Sequence, residues 1–310
     1  MSLRFYFGPS DGALSRKVYK DIIQRSLEQP DQNFLILVPD QFTMQTQKEL
    51  ALLHPRGGIL NIDVLSFGRL GHRVLEEVGS RESPVLDDTG KSLVLQKIAA
   101  PLKDQLPVLG GYLNKQGYIH EVKSAVSEFM QYGLSPEKVE ELIAFSGEKS
   151  VLAEKLKDLK TLYVSFLDYI RDHFVTAEET LDVLSRNLSK SAIVKDSVIV
   201  LDGFTGFTPI QYRLLQELAL TGKELILTMV CGREEDPYRP CGEQNLFYLT
   251  KKTVADLEKM AKTAGIFRER SEDVVMRDEG GAEPQTQLAF LENHLFRYGG
   301  SRKRLYGREI

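Results

Sequence analysis

The run Phe34-Leu35-Ile36-Leu37-Val38, five apolar residues stopped by Pro39, constrains this chain more than any other feature. A strand with one wet face alternates apolar and polar residues. An unbroken run suits a strand covered on both faces, as in a parallel sheet. Other segments repeat the theme: Leu3–Phe7 and Leu60–Leu65 read as strands, and so do Ser197–Leu201 and Glu224–Val230. Helical periodicities fall between them, at Ser15–Leu27, Thr43–Leu53 and Phe67–Val78, the last closed by Gly79. Strands alternating with short helices mean βαβ units, so the expected fold class is α/β with a doubly wound, mainly parallel sheet.

The pattern changes near Pro84. From there to about Lys195 no strand stands out, only helical spacing at Thr89–Ala100, Ile119–Met130, Pro136–Phe145, Val151–Phe174 and Thr176–Leu188, with a looser connection over Pro101–Gly117. After the strand at 197–201, Pro209 opens a helix through Leu220, and Gln244–Ala264 reads as a long amphipathic helix. The expected organisation is a core of 1–83 plus 196–270, interrupted by an all-helical insertion at 84–195. Arg268–Gln285 reads as a charged linker. The segment 271–310 is expected to be linker and truncated continuation, its tail Gly299–Ile310 carrying Arg302, Lys303, Arg304 and Arg308.

Composition narrows the function. A net charge of −4 gives no global basic field, so any nucleic-acid contact must come from a local patch. Cys231 and Cys241 stand without a CxxC or a neighbouring histidine pair, and His54, His120, His173 and His294 are scattered without metal spacing. No metal site is expected. No apolar run approaches the length of a membrane span, and a cytoplasmic location fits.

The loop Gly8-Pro9-Ser10-Asp11-Gly12-Ala13-Leu14-Ser15 lies between the first strand and the first helix, where a phosphate-binding loop of the form G-x-x-x-x-G-K-[ST] belongs. Gly8 and Ser15 keep the outer positions. Ala13 replaces the second glycine, and Leu14 replaces the lysine that would reach the β- and γ-phosphates. Val198-Ile199-Val200-Leu201-Asp202 resembles the apolar-then-acidic strand that holds Mg²⁺ in such folds, but Gly203 follows where an active motor has glutamate. Gly8, Ser10, Gly12, Ser15 and Asp202 therefore form a degenerate nucleotide loop. Three readings stay open: a plain strand-to-helix turn with Asp202 capping it, weak ATP/Mg²⁺ binding without turnover, or a site rescued by Arg16 or Lys17.

Several blocks together carry a family resemblance. Val38-Pro39-Asp40-Gln41-Phe42-Thr43 resembles a VPxQFT signature and Ser66-Phe67-Gly68-Arg69-Leu70 an SFxRL signature. Leu86-Asp87-Asp88-Thr89-Gly90-Lys91 opens the helical stretch, and Asn245-Leu246-Phe247 precedes the last long helix. The most specific block, Asp202-Gly203-Phe204-Thr205-Gly206-Phe207-Thr208-Pro209-Ile210-Gln211, resembles DGFxxFTPxQ. In order and spacing these resemble the N-terminal part of AddB, also called RexB, the B subunit of bacterial AddAB helicase–nucleases.

The resemblance implies a P-loop core of superfamily 1 helicase type that has lost its motor activity. It also implies an AddA-type motor subunit as partner, and recognition of the Chi hotspot in single-stranded DNA during double-strand-break repair and homologous recombination. The parent family is an ATP-dependent exodeoxyribonuclease subunit whose nuclease domain carries a cysteine-ligated iron–sulfur cluster; both are expected only in sequence beyond this chain. By the match, Gln41, Thr43, Phe67 and Arg69 are candidate DNA-reading residues, with His72 and Phe207 beside them. Amide and guanidinium groups suit base edges, and aromatic rings suit stacking. For each of these the structural alternative stands: Phe67 in the core, Thr43 as a helix cap, Arg69 as a solvated helix residue. An ATPase with a rearranged phosphate loop and a scaffold docking the motor subunit are the rival functions.

Overall fold

The computed structural model describes residues 1–10, 12–79, 85–113, 115–147, 151–171, 173–232, 235–276 and 295. The chain starts with β1 (Ser2–Gly8), α1 (Ala13–Glu28), β2 (Phe34–Leu37), α2 (Thr43–Leu53), β3 (Ile62–Leu65) and α3 (Phe67–Glu77). There follow β4 (Val85–Leu86), α4 (Asp88–Leu102), α5 (Gln116–Gln131), α6 (Pro136–Phe145), α7 (Val151–Ile170), β5 (Val175–Thr176) and α8 (Ala177–Asn187). The last part is β6 (Val198–Leu201), α9 (Pro209–Thr221), β7 (Glu224–Val230), α10 (Tyr248–Ala264), β8 (Phe267–Arg268) and β9 (Val274–Val275).

The central sheet runs β3-β2-β6-β7-β1-β8, β9 pairs β1 further along the same strand, and every pairing is parallel. Both faces are covered, which is why the strands read as continuous apolar runs. Alternate residues go to opposite faces. Leu35, Leu37, Ile199, Leu201, Leu225 and Leu227 join a core cluster with residues of α3, α8, α9 and α10. Phe34, Ile36, Val198, Val200 and Ile226 pack on Leu14, Val18, Tyr19, Ile22 and Leu50 from α1 and α2.

Three expectations are corrected. The stretch expected to hold no strand contains β4 and β5, which pair in parallel, Val85 with Val175 and Leu86 with Thr176, where the chain leaves the sheet region and returns. Two-residue pairings are too short to leave a period in the sequence. The helices expected as one block at 84–195 also divide. A third core cluster draws its buried residues from Leu86 to Ile170, whereas Leu184, Leu188 and Val194 belong to the sheet's own core. Lastly, the linker reading fails where it begins: β8 and β9 extend the sheet beyond β1. Arg268 holds them there. Its guanidinium donates to both Asp273 oxygens at 2.9 and 2.6 Å and lies 4.6 Å over the Phe5 ring, while Phe5 N–H donates to the same carboxylate.

One buried ion pair joins the helical cluster to the sheet side. The Lys91 ammonium on α4 donates to both Glu178 oxygens on α8 at 2.9 and 2.8 Å and to Ser127 on α5 at 3.3 Å. Lys91, part of a family block in the sequence, is thus a structural tie. Asp11, His294 and the basic tail residues Arg302, Lys303, Arg304 and Arg308 lie outside the described residues. No helix among the described residues is long and apolar enough to cross a membrane.

Candidate nucleic-acid interface

Parallel strands end together, so the loops after β1, β2, β3 and β6 gather at one edge of the sheet, where open α/β sheets bind ligands. Two very different places result.

At the first, the β1–α1 loop is filled by its own chain. Gly12 has φ 80°, a left-handed conformation that glycine adopts without strain, and α1 starts one residue later. Leu14, in the lysine position, is 3% exposed and packs into the apolar cluster beneath α1. A side chain on Gly8 would meet Met276 Sδ at 3.2 Å, because the residue after β9 crosses there and donates its N–H to the Phe7 carbonyl. Ser10 is exposed and Ser15 reaches inward. The Asp202 carboxylate accepts three hydroxyl hydrogen bonds: Ser15 Oγ at 3.1 Å, Thr228 Oγ1 at 2.6 Å and Tyr19 OH at 2.5 Å. Burial, then the Asp202 charge, pushes the Tyr19 hydroxyl pKa far above its ordinary value, so Tyr19 stays a donor. Gly203 has φ 78°, which disfavours a glutamate there on backbone grounds alone. Arg16 pairs with Glu49 at 3.2 Å and Lys17 with Asp21 at 2.8 Å, both directed to carboxylates of their own chain.

The second place is open. A cleft of about 450 Å³ lies beyond β2, β3 and β6. Its floor and near walls come from Pro39, Asp40 and Gln41 after β2, Ser66, Phe67 and Gly68 at the start of α3, and Phe204, Thr208 and Gln211 around the start of α9. Gln131 at the end of α5, with Glu178 and Leu181 on α8, closes the far side. Several polar groups there are already committed to helix ends. Ser66 Oγ accepts from Arg69 N–H, and Thr208 and Gln211 form a reciprocal capping box. Gln41 sits in the short turn before α2, and its exposed amide lines the cleft.

The predicted DNA-reading residues separate accordingly. Gln41 and Phe67 meet in the cleft. Phe67 is also a core residue, 7% exposed, its ring 5.1 Å from Phe204, which in turn lies 5.4 Å from Phe207. Phe207 stands behind Phe204, half-buried, and is not part of the lining. Thr43 is buried and its hydroxyl donates to the Asp40 carbonyl at 3.0 Å, so it shapes the turn that carries Gln41. Arg69 is exposed on the first turn of α3 beside the lining residue Gly68, with no ion pair among the described residues. His72 lies one turn further on, exposed, 3.9 Å from Glu76.

The family model described as ADDB, N-terminal, matches residues 5–292. The chain belongs to the AddB family. Curated relatives agree. The B subunit of the ATP-dependent helicase/deoxyribonuclease of Lachnoclostridium phytofermentans is 39% identical over 96% of this chain. The proteins of the same name from Caldanaerobacter subterraneus subsp. tengcongensis and Thermoanaerobacter sp. are 32% and 30% identical, each over 96% of the chain. The chain spans about a quarter of the length of these relatives, 26%, 25% and 26% respectively.

For an AddB-family chain, the structure adds cleft residues that sequence reasoning passed over. Asp40 and Gln211 stood inside the signature blocks, so those blocks pointed to them. Gln131 and Glu178 did not: they are remote in sequence, on helices outside any recognised block, and only the packing of α5 and α8 brings them to the sheet edge.

Proposed function

We propose that this chain is the N-terminal helicase-like region of an AddB-type subunit in a helicase–nuclease for double-strand-break repair, with a P-loop core of superfamily 1 type and the helices at 88–170 as its inserted subdomain. It binds single-stranded DNA across the carboxyl edge of the sheet, in Chi recognition, and does not itself hydrolyse ATP. The observation that carries this reading is the open cleft lined by Gln41 and Phe67, set beside a phosphate loop filled with apolar side chains. The amide of Gln41 and the neighbouring guanidinium of Arg69 suit base edges, and Phe67 offers an aromatic wall.

ATP and Mg²⁺ do not fit the residues present. Leu14 supplies no charge for a γ-phosphate, and Asp202 is engaged by three hydroxyls of its own chain. The rescue by Arg16 or Lys17 is opposed by their ion pairs with Glu49 and Asp21. The iron–sulfur cluster belongs elsewhere, since Cys231 and Cys241 cannot provide a cysteine quartet. The relatives' names, which describe one component of a multi-component enzyme, support an AddA-type motor as partner and a cytoplasmic place of action on DNA.

The test is binding of Chi-containing and scrambled single strands by the complex with its motor subunit. Gln41→Ala and Arg69→Ala should each weaken discrimination between the two strands roughly tenfold, the scale of one lost bidentate base contact. ATP turnover of the complex should not change with Lys17→Ala. Unchanged discrimination in both cleft variants would leave only a scaffold role; turnover abolished by Lys17→Ala would restore the ATPase reading.

A further inference from the structure

A pair of exposed, stacked tyrosines stands at the opposite end of α5 from the cleft. The Tyr112 and Tyr118 rings lie 4.8 Å apart with 13° between their planes, and the two residues are 45% and 40% exposed. The Lys115 ammonium is 5.6 Å from the Tyr112 ring centre. Between them the backbone turns tightly: Lys115 N–H donates to the Tyr112 carbonyl and Tyr118 N–H to the Lys115 carbonyl.

The segment beneath the rings is held unusually firmly. The carboxylate of Asp158 on α7, 3% exposed, accepts the N–H groups of both Val108 and Leu109 at 2.8 Å. Leu109, Leu113 and Ile119 anchor the same stretch in the helical core. Gly110 packs so closely that a Cβ would come 2.1 Å from the Lys103 carbonyl oxygen. A rigid backbone thus displays two rings in water, where a flat π-face gains most from a partner.

We propose that Tyr112, Tyr118 and Lys115 form a second single-strand contact, a stacking platform for a nucleobase with Lys115 beside the adjoining phosphate. Near-parallel rings present a flat outer face of the size of a base, and stacking of this kind tolerates any sequence. A lysine at the ring edge complements the phosphate rather than the base. The direction of the strand follows from α5 itself. Gln131 at its far end enters the cleft, and the thirteen residues from Tyr118 to Gln131 span about 20 Å of helix. At duplex spacing that distance is covered by roughly six nucleotides. This inference rests on the cleft reading, since it takes the strand to leave the cleft and run along α5.

The experiment measures binding of single-stranded oligonucleotides of two lengths by the full chain. One, about six nucleotides long, fills the cleft only; the other, about twenty, reaches the platform as well. Tyr118→Ala and Tyr112→Ala should weaken the long strand roughly tenfold and leave the short one unchanged, while Tyr118→Phe, which keeps the ring, should bind like the parent. Circular dichroism melting establishes that the alanine variants fold. Gln41→Ala should weaken both lengths. If Gln41→Ala changes neither, the cleft reading fails; if Gln41→Ala acts but the tyrosine variants bind the long strand normally, the platform alone is overturned. Loss of motor-subunit association with intact long-strand binding would make the rings a protein contact, which also overturns the proposal.

Discussion

The loop after β1 and the cleft after β2 and β3 sit on the same edge of the same sheet, yet one is packed shut and the other is open. Backbone topology is shared, so side chains make the difference. In the loop, Leu14 and Met276 close over Gly8, and Ser15, Tyr19 and Thr228 saturate Asp202. A site built to hold a charged ligand becomes a satisfied part of the core once its lysine is lost. In the cleft, the caps of α3 and α9 use up Ser66, Thr208 and Gln211, but Gln41 keeps its amide at the surface. An inherited fold edge is therefore a binding site only where polar groups remain uncommitted.

The contrast can be broken most sharply at Leu14. Leu14→Lys restores the motif residue, yet it replaces a buried apolar side chain, so a loss of about 2–4 kcal/mol is expected. Denaturant unfolding measures it, and a stable variant that gained ATP affinity would show that the loop is still a nucleotide site. Next is Asp202→Ala, which orphans three hydroxyls, two of them on buried Tyr19 and Thr228. A cost of about 2–3 kcal/mol is expected from such unsatisfied groups. A protein of unchanged melting temperature that bound the strand poorly would instead place Asp202 in the interface. The smallest effect sharpens the cleft. Thr43→Val removes one hydrogen bond to the Asp40 carbonyl and should cost about 1 kcal/mol, with strand binding retained. Binding lost at full stability would mean that Thr43 touches DNA directly.

Much of the fold was legible because local signals agreed with tertiary ones. α2, α6 and β7 fall on the boundaries read from sequence. For α6 the reason is visible: Ser135 caps the helix and Pro136 occupies its first turn. Where a boundary was set by another part of the chain, sequence reasoning overran. The helix expected to Phe174 stops at Ile170, because the chain must turn to place Val175-Thr176 beside Val85-Leu86. The helix expected from Gln244 starts at Tyr248, since Asn245 accepts from Phe247 N–H and holds a turn ahead of it.

The candidate site was legible to a smaller degree. The signature blocks named Gln41 and Phe67, which meet in the cleft, but they named Thr43 with equal weight, and its hydroxyl faces its own backbone. Whether a threonine next to a loop caps or contacts depends on a rotation that no spacing encodes. Gln131, Glu178 and the tyrosine pair depend on how α5 lies against the sheet, which is long-range packing.

By itself the sequence determined the α/β class, the covered parallel strands, the missing lysine at Leu14 and the family, because apolar runs and short blocks are local properties. Only the tertiary structure decided that β8 and β9 complete the sheet, that Met276 and three hydroxyls fill the old phosphate site, and that helices remote in sequence wall the cleft. Those outcomes rest on contacts between residues tens to hundreds of positions apart, and the energy of such contacts exists only once the chain has folded.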